Sequence, residues 1–148
     1  MKRIVCSVLA AVLMLCMIPM QGKAAEAEIV MLENGDYMMI ETVRFGMRAS
    51  GTVTGNKTYT YYDSNDDAQW KAVLTGKFTY TGSGATCTSS SVSTTIYDSS
   101  WTVISKSATK SGNKAKASVK MGDKVEGTIT TTVPVSLTLS CDANGNLS

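Results

Sequence analysis

Histidine is absent from this chain, and that absence removes more chemistry than any residue present supplies. Without imidazole there is no Ser-His or Cys-His couple, no histidine metal ligand, and no side chain whose ordinary pKa lies near neutrality. The 4 cysteines show no C-x-x-C spacing, so a thiolate metal site or redox pair lacks its signature. No Gly-rich phosphate loop occurs. The carboxylates beyond the N-terminus fall in turn-forming segments or in residues 28–50, whereas glycoside hydrolysis needs two held across a cleft. The expectation is a protein that is not an enzyme and uses no metal and no cofactor.

Net charge is also lacking once the N-terminus is set aside. From Glu28 onward there are 11 Lys+Arg against 11 Asp+Glu, so global attraction to nucleic acid is not implied. Long apolar runs are confined to one place. Lys2 and Arg3 precede the 15 residues Ile4 to Ile18, Pro19 ends the run, and Ala25-Glu26-Ala27 fits an A-x-A cleavage pattern. Gly22-Lys23-Ala24 is a second candidate. A bilayer span needs roughly 20 apolar residues, so residues 1–27 read as a signal peptide, the chain as secreted, and the membrane as a partner only before cleavage. Leu15 before Cys16 does not suit a lipobox.

Cleavage leaves Cys87 and Cys141. In an exported chain they are expected to form one disulfide, closing a loop of 54 residues and stabilising the fold by about 4 kcal/mol on the chain-entropy account.

What is present points to strands. Thirty-five residues from Glu28 onward are Ser or Thr, mixed with Val, Ile and Tyr in alternation, a composition that suits pleated surfaces. Ile129, Thr131, Val133, Val135, Leu137, Leu139 and Cys141 share one side of a long strand. Lys57–Tyr62, Gln69–Tyr80, Thr86–Tyr97, Trp101–Ser107 and Ala115–Met121 read as further strands, separated by Asp63–Asp67, Gly82-Ser83-Gly84, Asp98-Ser99-Ser100 and Ser111-Gly112-Asn113 turns. Gly76 within the second marks a bulge or a close approach. No helical period exceeds one turn. Residues 51–148 are therefore expected to be all-β, a small antiparallel β-sandwich of immunoglobulin-like architecture with one disulfide. Residues 28–50 are an N-terminal arm of uncertain order, in which Tyr37 to Met47 fits a strand or a short helix; the arm from Glu28 to Ser50 could add as a strand to a neighbour's sheet edge to form oligomers.

Three groups invite a binding role. Lys106, Lys110, Lys114, Lys116 and Lys120, with Lys124 beyond, suggest a basic strip for an anionic wall polymer, an acidic glycan or a lipid surface. If Trp101 to Met121 is one hairpin, Ala115, Ala117, Val119 and Met121 turn inward and Lys114, Lys116 and Lys120 outward. Lysine on edge strands also discourages sheet-to-sheet aggregation. Tyr59, Tyr61 and Trp70 could form a glycan-stacking platform or, equally, core and cross-strand pairs. Asp63, Asn65 and Asp67 mimic a calcium loop, but Ala68 and Leu74 stand where an EF-hand needs glycine and glutamate. The sequons at Asn56 and Asn146 are set aside because the signal peptide is of bacterial type.

Tyr59-Thr60-Tyr61-Tyr62-Asp63, Trp70, Thr75–Tyr80, Cys87–Ser90, Ser105-Lys106-Ser107, Lys110–Asn113 and Thr138–Cys141 through Gly145, Leu147 and Ser148 resemble a group of short secreted proteins of Gram-positive bacteria. That resemblance implies export and one small all-β domain, and no activity. The functional expectation is surface contact at or outside the cell envelope, with a cell-wall polymer, a glycan or another protein. A structural subunit and a small antagonistic effector are the alternatives.

Overall fold

The computed structural model describes residues 25–45 and 51–148. Most of the expected signal peptide, and the last residues of the arm, lie outside them. Eight strands follow in order: β1 (Ala25–Met31), β2 (Tyr37–Phe45), β3 (Thr52–Tyr62), β4 (Ala68–Tyr80), β5 (Ala85–Ile96), β6 (Trp101–Ser111), β7 (Lys114–Val125) and β8 (Thr128–Ser140). All pairings are antiparallel, in a five-stranded sheet β1-β2-β3-β4-β5 and a three-stranded sheet β6-β7-β8. The two sheets pack as a small sandwich.

The topology departs from an immunoglobulin domain. There, Greek-key connections carry strands between sheets; here each sheet is a meander in chain order, and the link from β5 to β6 is where the chain changes layer. The reason is local, since β1–β2, β3–β4, β4–β5, β6–β7 and β7–β8 are each closed by a short turn among the described residues. Three loops share one main-chain pattern, in which the first residue's N–H donates to the fifth carbonyl and the fourth N–H to the first carbonyl: Leu32–Asp36, Asp63–Asp67 and Asp142–Asn146. The fourth position needs φ > 0 and holds Gly35 (89°), Asp66 (67°) and Gly145 (80°).

The N-terminal arm is also different from expectation. Ala25–Met31 and Tyr37–Phe45 are ladder strands, β2 pairing with β1 on one side and β3 on the other. Met38 and Ile40 lie opposite Tyr61 and Tyr59 and pack at the border of the core, which settles strand over helix.

Period-two alternation builds the core. From β4 come Trp70, Ala72, Leu74 and Phe78, all wholly buried; β3 adds Val53, Tyr59 and Tyr61. The facing layer is thinner: Ala115, Ala117, Val119 and Met121 of β7, then Val135, Leu137 and Leu139 of β8. Gly76 marks a close approach. A Cβ there would sit 2.7 Å from the Phe78 ring and 3.0 Å from the Ala115 Cβ, so glycine lets the sheets come together, while the bulge lies at Lys77/Phe78. The long C-terminal strand buries only its second half. Thr128–Thr132 are exposed on both sides, and a register shift at Asp123/Lys124 turns Ile129 to the outer side, where it and Ile104 cover Gly122.

Candidate binding surface

The aromatic platform is corrected by burial. Tyr59, Tyr61 and Trp70 are 8%, 5% and 0% exposed and stack on one another inside the sandwich, Tyr61–Trp70 at 5.5 Å and Tyr59–Trp70 at 6.0 Å between ring centroids. Trp101 closes the cluster from the other sheet at 5.2 Å from Tyr61. The Tyr61 hydroxyl donates to Asp36 at 2.6 Å. Burial pushes both Tyr59 and Tyr61 up to about 12, and at Tyr61 the Asp36 hydrogen bond and charge add to it. These rings are core, closed to a sugar.

Cys87 and Cys141 come together from 54 residues apart in sequence, yet both are buried free thiols and the expected bridge is not formed. Their amides donate to consecutive carbonyls, Cys87 to Gly112 and Cys141 to Asn113. Burial raises both thiols. At Cys141, Asp142 and the Cys87 thiol add to that rise and Arg44 opposes it; at Cys87, the Ser89 hydrogen bond and Lys110 oppose it. Among the described residues, no group of three or more His, Cys, Asp or Glu side chains is arranged to hold a metal ion. The Asp63 carboxylate instead holds its own turn, accepting from the Asn65 and Asp67 amides.

The lysine strip is divided. Residues directly opposite in an antiparallel ladder share a face. Lys110 lies opposite Ala115 and Lys106 opposite Val119, and both partners are buried. Those two lysines therefore lie on the core side of the edge strand β6, and Lys110 Nζ donates to the Thr88 carbonyl on β5 at 2.7 Å. Lys114, Lys116 and Lys120 point the other way, out of the sandwich.

That outer face has a simple composition. Along β7 it presents Lys114, Lys116, Ser118 and Lys120, with Ser111, Thr109, Ser107 and Ser105 opposite on β6 and Ser140, Thr138, Ser136 and Pro134 opposite on β8. Carboxylates are missing from residues 101–122 and 128–140. At about 7 Å per two strand residues, the ammonium groups stand in a line flanked by hydroxyls on both sides at Lys114 and Lys116 and on the β6 side at Lys120. Such a face can attract a repeating anion and hydrogen-bond around it, with the loose geometry of lysine rather than the bidentate grip of arginine. The serine and threonine rows were overlooked in the sequence because polar strand residues look like filler until the register sets them beside the lysines.

No family model matches the chain, and no curated protein matches it. Among solved structures, the chain is similar to a hypothetical protein from Listeria monocytogenes EGD-e, at 17% identity over 88% of this chain and 96% of that one, with a TM-score of 0.47.

Proposed function

We propose that this is a secreted, non-enzymatic β-sandwich protein that works at or outside the cell envelope by holding an anionic polymer against the outer face of β6-β7-β8. The carrying observation is the line Lys114, Lys116 and Lys120, flanked by Ser and Thr and free of carboxylates. Export rests on the basic, apolar and small-residue N-terminus and accords with the resemblance to short secreted Gram-positive proteins. In an oxidising compartment Cys87 and Cys141, brought to neighbouring backbone sites, are the pair expected to close as a disulfide.

The test is co-sedimentation with Gram-positive cell walls across a salt series. Binding is expected to weaken steeply with salt and to be lost in Lys114/Lys116/Lys120→Gln, while Lys106/Lys110→Gln, with the same charge change per residue, retains most of it. Equal loss in both variants would reduce the interaction to bulk charge; retention in the triple variant would overturn the site. One observation favours a second reading, assembly by strand addition: β1 pairs with β2 on one side, and its other edge pairs with no described strand. Concentration-dependent oligomers in gel filtration would support it.

A further inference from the structure

We propose that the cleft at the end of the sandwich, between the β4–β5 turn and the loop after β8, is a second binding site that takes a neutral sugar unit. Tyr80, Thr81, Gly82, Ala143, Asn144 and Asn146 line a shallow hollow of about 670 Å³ that is open to solvent over most of its extent.

Its walls are built, not incidental. The Gly82 N–H donates to the Ala143 carbonyl at 2.8 Å, tying the two loops together, and the Tyr80 N–H donates to Gly51 at 2.8 Å. Gly145 lies against the Tyr80 ring so closely that a Cβ would come within 2.6 Å of Cε1. Its φ of +80° is a second reason for glycine there. The ring is thereby held at the cleft wall with a preset orientation.

The chemistry of the lining selects the ligand class. It presents the Tyr80 ring, the Asn144 carboxamide and backbone, beside a Thr81 hydroxyl bonded within its own turn and an Asn146 carboxamide that donates to Asp142, with no charged side chain. The nearby carboxylate, Asp142, is consumed by its own loop: Oδ1 accepts from the Asn144 and Asn146 amides and Oδ2 from the Asn146 carboxamide. Those bonds hold its pKa below the ordinary carboxylate value. Carboxamides both donate and accept, as sugar hydroxyls do, and a tyrosine ring suits the C–H face of a pyranose. An ion would find no counter-charge here. The loop that forms one wall follows β8 in the chain, Ser140 opposite Lys114 standing two residues before Asp142, and the sugar site stands independently of the lysine reading.

The experiment is a titration of the full secreted protein with glucose and with N-acetylglucosamine, followed by amide NMR. Saturable shifts confined to Gly82, Ala143, Asn144 and the Asn144 and Asn146 side chains are expected. Asn144→Ala, which keeps the backbone bond to Asp142, is expected to weaken binding about tenfold, the equivalent of one lost hydrogen bond, with an unchanged spectrum elsewhere. Lys114/Lys116/Lys120→Gln is expected to leave the sugar shifts intact, so failure of the lysine face and failure of the cleft are separately visible. No saturable shift with either sugar would overturn the proposal, as would the same resonances responding to N-methylacetamide and to neither sugar, which would assign the cleft to peptide.

Discussion

The two sheets are made of different materials. The five-stranded sheet and its turns carry nine carboxylates against four cations in residues 25–45 and 51–98, whereas residues 101–140 carry six lysines against two carboxylates. Inside, the larger sheet contributes the wide rings Tyr59, Tyr61, Trp70 and Phe78, and the smaller one mainly alanine, valine, leucine and methionine. Outside, the smaller sheet carries lysine and hydroxyl from Lys114 to Lys120, with exposed Ile104 and Ile129 beyond. The contrast separates two tasks: one layer supplies most of the buried aromatic rings, and the other packs mainly aliphatic side chains inward and carries its lysines on the outer face.

The largest effect should come from striking the aromatic layer. Trp70→Ala is expected to cost about 3–5 kcal/mol in urea unfolding, and Leu139→Ala, equally buried but in the other sheet, about 2–5 kcal/mol; a loss at Trp70 below that at an exposed residue such as Thr130 would contradict its place in the core. Alkaline pH tests the same layer without a mutation. Tyr59 and Tyr61 titrate near 10 when unfolded and about 12 when folded, so the folded state holds more protons above pH 10. Their contribution is fully present below pH 10 and is lost as pH rises through 12, by an amount on the order of 2 kcal/mol per ring. Stability that stays flat across that window in both the wild type and Tyr59→Phe would contradict the burial of these hydroxyls. The smallest effect lies in the other sheet. Glu126 (φ 51°) and Gly127 (φ 82°) form the turn between β7 and β8, a geometry that prefers Asn-Gly. Glu126→Asn is expected to raise stability by about 0.5–1 kcal/mol, read as a small increase in Tm, and no increase would mean that the turn already fits.

Strand positions from Lys57 onward were legible because alternation and turn residues are local properties. The outward facing of Lys114, Lys116 and Lys120 was legible from their alternation with Ala115, Ala117, Val119 and Met121, whereas grouping Lys106 and Lys110 with them ignored the register of the hairpin. Ser111-Gly112-Asn113-Lys114 makes a two-residue turn, so even positions on β6 lie opposite odd positions on β7, as Lys110 and Ala115 do. Even-numbered lysines on the two strands must then face opposite ways. The β1–β2 hairpin was harder, because Met38-Met39-Ile40 is apolar on both parities and gives a strand or a helix equal footing. Its identity came from Tyr59 and Tyr61 on the adjacent strand, which are distant in sequence.

The chain's own pattern committed it to antiparallel hairpins, because a pleated strand and a tight turn are each satisfied by neighbours a few residues away. It could not say which side of each strand would be covered. Tyr59, Tyr61 and Trp70 would serve a platform or a core equally well until a second layer carrying Trp101 closed over them. The same packing brought Cys87 beside Cys141 and set the Asp142–Asn146 loop against Tyr80. Those outcomes depend on how one sheet is laid on the other, and that placement is a balance of burial summed over both layers rather than a property of any segment.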